Sequence, residues 1–349
     1  MFFETDCPPN PARQSRNRTA SFLLTRPENI FVSRHSAVVR VMNASHRDYC
    51  AYMALPRGPD RERFIRERSD ALPEYLEAAT AGDAEACFLL GRAHDVGSAG
   101  GNDSPNEAVK WYRKAAELGN VFAQYNLGVI YEGGRGIEKD EVEAARWYRK
   151  AADEGLADAQ RALGNLYYSG RGLEKDEVEA VKWYRKAAEQ GDPSGQYSLA
   201  SMYDRGTGVV QDDAQALKWY RRAADQGDSW AQYNLGSMYA EGQGVLKDYV
   251  EAAKWYRKAA EQGESSAQYN LGKMYERGKG VVRDDAEAAN WLRKAAEQGD
   301  GRAQRDLGNM YRTGRGVPMD EVEAMKWYGK AAEQGFQDAK SSLDELSTK

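Results

Sequence analysis

The sequence contains little cysteine or histidine, and neither residue is placed for a disulfide framework or a metal centre. There are three of each in 349 residues: Cys7, Cys50, Cys87, His35, His46 and His94. No two cysteines form a C-x-x-C pair, which small disulfide-bonded domains and thiolate metal sites commonly use. We read no ligand set among the histidines either. We therefore expect a reducing compartment, no metal and no cofactor.

The sequence also lacks a long apolar run and an excess of basic charge. No apolar run approaches the roughly 20 residues of a membrane-spanning helix. The apolar segments at 22–24 and 38–42 are too short or interrupted for a secretory signal. The net charge is -5, with 30% charged residues, which is not typical of a phosphate-binding protein. We expect a cytoplasmic protein with neither a nucleic-acid nor a membrane partner.

What the sequence has in abundance is an internal repeat of 36 residues. Seven of the eight tryptophans keep this spacing: Trp111, Trp147, Trp183, Trp219, Trp255, Trp291 and Trp327. A leucine series from Leu127 to Leu307 and a tyrosine series from Tyr131 to Tyr311 keep it as well. Several markers in phase over such a distance indicate a tandem array of identical structural units.

Each repeat predicts two helices. Apolar residues recur at helical spacing between Ala123 and Tyr131, and Gly134 can end this first helix in a left-handed conformation. Asp140 can cap the next helix, which has an apolar stripe around Trp147. One such pair has too little core to fold alone, so the pairs must stack on one another.

These residues resemble the Sel-1-like repeat family, a relative of the tetratricopeptide repeats. The pattern A-x-x-x-L-G-x-x-Y lies at 231–239, the G-x-G-V-x-x-D loop at 242–248 and the A-x-x-W-Y-x-K-A-A-x-x-G helix at 252–263. The resemblance covers seven units: 83–119, 120–155, 156–191, 192–227, 228–263, 264–299 and 300–335. It implies an all-α, right-handed α-solenoid superhelix of antiparallel helix pairs, acting as a protein-binding scaffold.

The two ends depart from the repeat. Residues 1–60 carry three nearby prolines and show no helical periodicity, so we expect disorder or a start codon at Met42 or Met53. We interpret 61–82 as a degenerate N-terminal capping helix, with Glu74 in the tryptophan position. Residues 336–349 keep a first-helix pattern and then turn polar, which predicts a C-terminal capping helix.

An enzymatic function is the less favoured alternative. Some proteins of the resembling family are associated with β-lactam hydrolysis, but they carry paired cysteines that this chain lacks. Cys87 and His94 are the only nonrepeated nucleophile and base that we identify, and seven helical residues separate them by some 10 Å. The repeated G-x-G loops and the carboxylates after them suit helix ends, and the Arg149-Lys150 pair suits a solvated outer face. We predict that the protein is not an enzyme.

The resemblance places ligand contacts on the first helix of each repeat, around the Leu-Gly pair. The residues at those positions form our candidate groove for a protein or peptide partner in regulation or signalling: Tyr125, Asn126, Arg161, Asn165, Tyr168, Tyr197, Tyr233, Asn234, Tyr269, Asn270, Lys273, Arg305, Asn309 and Arg312. Aromatic rings and amides suit an extended peptide or a helix. Packing of Tyr125 and its copies on the adjacent helix A, with only their hydroxyls in water, explains their recurrence equally well.

Overall fold

The computed structural model describes residues 29–56, 58–97 and 104–348, and these residues form helices and no strands. The chain divides into two compact units, Met1–Asp176 and Glu177–Lys349. The first contains α1 (Asn29–Ala54), α2 (Pro59–Glu67), α3 (Leu72–Thr80), α4 (Ala84–Asp95), α5 (Pro105–Glu117), α6 (Val121–Gly133), α7 (Glu141–Asp153) and α8 (Ala157–Ser169). The second contains α9 (Glu177–Glu189), α10 (Pro193–Arg205), α11 (Asp213–Asp225), α12 (Ser229–Glu241), α13 (Tyr249–Glu261), α14 (Ser265–Arg277), α15 (Asp285–Glu297), α16 (Gly301–Thr313), α17 (Glu321–Glu333) and α18 (Gln337–Ser347).

Within each unit the repeats are hairpins of two helices, each of 13 residues except the 12-residue α4, as α6 and α7 show. Asn120 caps α6 by accepting a hydrogen bond from the Ala123 backbone N–H at 2.9 Å. Gly134 then ends α6 at φ 70°, which a glycine adopts without steric strain. Asp140 caps α7 through the Glu143 backbone N–H, again at 2.9 Å. The caps and breaks predicted from the sequence therefore set both helices.

The two helices of a repeat approach closely where a glycine of the first meets a tyrosine of the second. A Cβ atom on Gly128 would lie only 2.4 Å from Cδ1 of Tyr148. Next to it, Leu127 is fully buried, and Trp147 is buried as well. The Leu-Gly and Trp-Tyr pairs of the sequence are thus the two faces of one contact. Within each unit, consecutive helix pairs pack as a solenoid, which confirms the predicted fold class.

The N-terminal segment corrects one prediction. We expected disorder or a later start codon over 1–60, but residues 29–54 form α1, and side chains between Val41 and Met53 pack into the core. Tyr49 and Tyr52 are 8% and 3% exposed, and each of their rings lies 5.7 Å from the ring of Phe88. With Ser45 they make a buried stripe at steps of four and three residues. Because the stripe consists of tyrosine and serine, a search for aliphatic periodicity misses it. Residues 1–28 lie outside the described chain.

The segment 61–82 contains more structure than one capping helix. It spans most of α2, a 3-10 turn at Ser69–Ala71 and α3. Pro73 lies in the first turn of α3, where the missing N–H has no helical partner to lose. At the other end, α18 buries Ala339 and Leu346 and leaves most of its remaining residues exposed or half-buried.

Candidate functional site on the helix A face

We name the first helix of each repeat helix A and the second helix B. Helix A is α4, α6 and α8 in the first unit, and α10, α12, α14 and α16 in the second. The helix A face is the surface formed by the fourteen groove residues predicted above. All of them are half-buried except Tyr168, whose side chain is 38% exposed. Each unit carries its own part of this face.

Three of the five tyrosines of the helix A face pack against helix B of their own repeat. Three ring pairs have centroids 5.7 to 5.8 Å apart: Tyr125–Tyr148, Tyr197–Tyr220 and Tyr233–Tyr256. The fourth case differs because helix B presents Leu292 at that position. There the guanidinium of Arg302 lies 4.3 Å from the ring centroid of Tyr269. The packing alternative placed these rings on the adjacent helix A, whereas the ring contacts are with helix B of the same repeat, and the rings remain half-buried at the surface.

Three of the five asparagines of the helix A face hydrogen-bond to tyrosines within the second unit. Tyr328 donates to Oδ1 of Asn309 at 2.8 Å. Burial raises the pKa of Tyr197, and a hydrogen bond with Asn234 opposes the shift. Burial likewise raises the pKa of Tyr256 to about 12, against its hydrogen bonds to Ser237 and Asn270. These amides hold tyrosine hydroxyls in place.

The basic residues near the C-terminal end of the face are neutralised by acids. Lys273 donates to Asp306 at 2.8 Å and also contacts Glu276. Arg305 forms a two-nitrogen contact with the same Asp306 carboxylate at 2.8 and 2.9 Å. Burial favours a lower pKa for Lys273, but its bonds to the two acids raise it overall. Arg312 lies 3.4 Å from Glu345. This part of the surface presents paired charges.

In the first unit the face borders a cavity of about 310 Å³. Tyr125 and Asn126 line it together with Tyr52 of α1 and Arg61 of α2. Arg61 also donates to the backbone carbonyls of Met53 and Leu55, both at 3.0 Å, and so ties α2 to the end of α1. The N-terminal helices thus cover part of the helix A face. Arg161 reaches Asp158 at 3.5 Å, and the Asn165 carbonyl accepts from the Ser169 hydroxyl at 2.8 Å.

A buried row of glutamines on helix A links successive repeats and was not predicted. Each Nε2 donates to an alanine carbonyl near the end of the preceding helix B, at 3.0 to 3.3 Å: Gln124, Gln160, Gln196, Gln232, Gln268 and Gln304. In the last four of these glutamines, Oε1 accepts a hydrogen bond at 2.8 to 2.9 Å from the glutamine at the end of helix B of the same repeat. The four donors are Gln226, Gln262, Gln298 and Gln334. The 36-residue recurrence of an Ala-Gln pair was the available signal.

The basic pair on helix B has a structural role that our solvated-face interpretation missed. The arginine donates to the tyrosine hydroxyl of the next helix A, 18 residues on, in six places: Arg113–Tyr131, Arg149–Tyr167, Arg185–Tyr203, Arg221–Tyr239, Arg257–Tyr275 and Arg293–Tyr311. The following lysine lies over the tryptophan three residues earlier, as Lys150 does 3.9 Å from the Trp147 ring centroid. The pair joins repeats and covers the buried indole.

The residues considered for hydrolysis are not arranged for it. Cys87 is fully buried, and burial raises the pKa of its thiol to about 11, which disfavours the reactive thiolate. Burial also lowers the pKa of His94. Within the described residues no group of three or more acidic, histidine or cysteine side chains is positioned to hold a metal ion. None of the helices in that part of the chain is long and apolar enough to cross a membrane.

Comparison with known proteins agrees with this architecture. The crystal structure of c5321, a protective antigen of uropathogenic Escherichia coli strains with an SLR fold, is 39% identical with a TM-score of 0.75. The match covers 79% of this chain and 59% of the antigen, so the chain spans less than two thirds of that relative. A Sel1 repeat protein from Oxalobacter formigenes is 35% identical with a TM-score of 0.67, over 93% of this chain and 95% of that one.

No curated protein resembles the chain closely enough to count as a relative. The Sel1 repeat family matches seven segments, which agree with the predicted units to within about a residue at most boundaries: 84–120, 121–156, 157–192, 193–228, 231–264, 265–300 and 301–336. Each segment begins at or next to the first residue of a helix A and ends just after a helix B, apart from the fifth, which begins two residues into α12. The chain therefore belongs to the Sel1 repeat family.

Proposed function

We propose that this protein is a non-enzymatic scaffold that binds a partner protein or peptide on its helix A face. A solenoid of Sel1 repeats is consistent with a protein-interaction scaffold, and such repeat proteins typically bind other proteins. The finer assignment is a cytoplasmic adaptor that acts in regulation or signalling. Such an adaptor binds its partner and catalyses no reaction.

The tyrosine row of the helix A face carries this proposal. The rings of Tyr197 and Tyr233 are half-buried on helix B tyrosines, and Tyr269 is held beside Arg302. A ring that is already fixed loses little side-chain entropy when a partner covers it. Tyrosine also offers a large apolar area and one hydroxyl, which is why it is enriched at binding hot spots. The proposed surface is thus ordered before binding.

The test replaces three tyrosines of the second unit with alanine, at Tyr197, Tyr233 and Tyr269. Wild type and the triple variant would be used to recover partners from an extract of the source organism, and the affinity for the purified partner would then be measured. Alanine at a hot-spot tyrosine costs about 2 kcal/mol in binding. We expect the affinity to fall at least tenfold while circular dichroism shows unchanged helicity.

A matched control changes three exposed apolar residues that lie in the first turns of helix B, away from the helix A face. These are Val178, Val250 and Val322, whose exposed fractions are 55%, 52% and 71%. Alanine at these positions should leave binding unchanged. If the tyrosine variant retains its helicity and binds as well as wild type, the helix A face is not the binding surface.

A further inference from the structure

A cysteine, a histidine and a glutamate meet where α1 packs on α4. Sγ of Cys50 lies 3.7 Å from Nε2 of His46, and Nδ1 of His46 lies 2.7 Å from Oε2 of Glu85. Cys50 and His46 are one helical turn apart on α1, while Glu85 lies in the first turn of α4. The sequence gives no sign of this cluster, because Glu85 is 35 residues or more away along the chain from Cys50 and His46.

The carboxylate of Glu85 determines which imidazole nitrogen of His46 carries the hydrogen, and so which nitrogen can act as a base. A carboxylate oxygen can only accept a hydrogen bond, so Nδ1 of His46 carries the proton. In the tautomer that this hydrogen bond selects, Nε2 faces the Cys50 thiol and can accept its proton. The Glu85 side chain is only 8% exposed, which strengthens its hold on the ring. Glu85 is a positioning residue, and His46 is the base.

The surroundings distinguish this thiol from Cys87, the other described cysteine. Cys50 is half-buried and His46 is 33% exposed, so a small reagent can reach them from solvent. Cys87 is enclosed in the core, and its thiol contacts the backbone carbonyl of Ala79 at 3.9 Å. The carboxylate of Asp83, four residues before Cys87, instead accepts hydrogen bonds from the Glu85 and Ala86 backbone N–H groups and from the Ser45 hydroxyl.

We propose that Cys50 is a reactive thiol, activated by His46 and oriented through Glu85, that undergoes exchange with low-molecular-weight disulfides. A histidine base beside a thiol increases the thiolate fraction, and the thiolate is the species that attacks sulfur. This modification site is independent of partner binding on the helix A face.

The exchange step balances without another reactant. His46 Nε2 takes the proton from the Cys50 thiol and leaves a thiolate beside an imidazolium. The thiolate attacks one sulfur of the reagent, a new S–S bond forms on Cys50, and the S–S bond of the reagent breaks. The departing thiolate takes up the proton from His46. One thiol is oxidised, one half of the reagent is reduced, and the histidine returns to its neutral form.

The experiment follows mixed-disulfide formation between the full reduced chain and glutathione disulfide at pH 7. Intact mass and peptide mapping would assign the adduct to Cys7, Cys50 or Cys87 after acid quenching. Only a few per cent of an ordinary thiol is ionised at this pH, so activation should accelerate the reaction of Cys50 about tenfold relative to the urea-denatured chain. Cys87 should not react in the folded protein.

Three variants separate activation from simple exposure. His46→Gln should bring the Cys50 rate to within about twofold of the denatured chain. Glu85→Gln should move the inflection of the pH–rate profile toward that of an ordinary thiol, a shift that a merely structural role would not produce. Arg47→Gln, at the adjacent exposed position on α1, should leave both the rate and the profile unchanged.

The wild-type comparison alone can overturn the proposal, even if a variant fails to fold. A Cys50 rate in the folded chain no higher than in urea would do so, as would equal rates in wild type and a folded His46→Gln protein. Equal slowing by the Arg47 variant would assign the effect to general positive charge and would also overturn it. Far-UV circular dichroism would establish which variants are folded.

Discussion

At the scale of single residues, the glutamine row has one position where its chemistry is incomplete. Oε1 of Gln124 is buried and has no hydrogen-bond partner within the described residues. In the later repeats, the residue 30 positions further along the chain supplies that partner, as Gln298 does for Gln268 at 2.8 Å. Thirty positions after Gln124 lies Glu154, whose carboxylate has no hydrogen to donate. One carboxylate in place of an amide accounts for the unsatisfied atom.

We predict that Glu154→Gln stabilises the protein by about 1 kcal/mol, the usual net value of one hydrogen bond. The new amide would donate to Gln124 as its counterparts do in the second unit. Chemical denaturation followed by circular dichroism, with wild type alongside, measures the change in the free energy of unfolding.

The opposite substitution is the control. Gln298→Glu removes the donor to Gln268 and leaves that buried acceptor without its partner, at a cost of about 1 to 3 kcal/mol. If Glu154→Gln leaves the free energy of unfolding unchanged while Gln298→Glu lowers it, the missing donor beside Gln124 does not reduce the stability of the first unit.

The residues that the sequence reveals best are those that carry large apolar area or a special backbone conformation. The tryptophan, leucine and glycine series marked the core of every repeat, because each has one physical role wherever it recurs. The glutamines recur just as regularly, but a polar residue in a helix is compatible with exposure or burial. Only the three-dimensional structure shows that Gln232 lies between two helix ends.

At the scale of elements, the loop between helix A and helix B depends on its second glycine. Gly316 has φ +70°, and a Cβ atom there would lie 2.0 Å from the Asp285 backbone carbonyl oxygen. That oxygen belongs to the first turn of the preceding helix B. The loop of one repeat therefore rests directly on the backbone of the previous repeat, and a side chain cannot enter the contact.

We predict that Gly316→Ala destabilises the protein by at least about 2 kcal/mol. The left-handed conformation alone costs a non-glycine residue about 1 to 2 kcal/mol, and the collision with a backbone atom adds to it. Thermal unfolding monitored at 222 nm would show the lower melting temperature.

Gly329, in the middle of α17, provides a matched comparison. It has a helical backbone, and a Cβ atom there would meet no neighbouring atom within 4 Å. Gly329→Ala should therefore raise the stability by about 0.5 to 1 kcal/mol, because alanine favours the helix. Equal changes in stability for the two substitutions would show that the close loop contact does not require glycine at position 316.

Helices inside the repeats could be predicted almost to the residue, whereas α1 could not. Within a repeat, an aspartate or asparagine cap and a terminal glycine bracket most helices, as Asp140 begins α7. Among residues 38–54, the part of α1 whose side chains are described, those buried are Ser45, Tyr49 and Tyr52, which are equally common on surfaces. Its burial depends on partners far along the chain, chiefly Phe88 and Phe122. Local pattern alone cannot supply such contacts.

The candidate site was predicted only in outline. The tyrosine positions do form a half-buried row, but the internal partners of the other residues were not visible in the sequence. Asp306 neutralises both Lys273 and Arg305, although it stands where other repeats have asparagine, as at Asn270. Which residues keep free hydrogen-bonding capacity depends on neighbours one repeat away.

At the scale of the whole molecule, stability in such a stack is approximately the sum of repeat and interface contributions. Deleting residues 228–299 removes the two repeats that comprise α12 to α15. Asp300 would then follow Gly227 as Asp228 does now, and Gln304 would take the place of Gln232 opposite Ala224. The contacts between the repeats on either side of the new junction would therefore be of the same kinds as those in the full-length chain.

We predict that the shortened chain folds, with unchanged helical fraction per residue and one cooperative transition at a lower temperature than wild type. Circular dichroism and calorimetry measure both quantities. A deletion of one and a half repeats, 228–281, would place α15, a helix B, directly after α11, also a helix B, and should not fold cooperatively. Collapse of the in-phase deletion, or strand content in its spectrum, would contradict the stacking of independent helix pairs.

The arginine-to-tyrosine bonds between repeats end before the last helix. The next positions in the series are Gly329 and Ser347, 36 residues after Arg293 and Tyr311, so donor and acceptor are missing together. The helix α18 is held mainly by burial of Ala339 and Leu346 and by exposed charge contacts such as Arg312–Glu345. A helix that makes few stabilising contacts with its neighbours opens locally more often. We therefore predict that amide protons of α18 exchange with solvent sooner than those of any interior helix, as hydrogen exchange would measure. Weak coupling of α18 bears on the helix A face, because a shift of this helix would uncover the part of the face where Arg312 contacts Glu345.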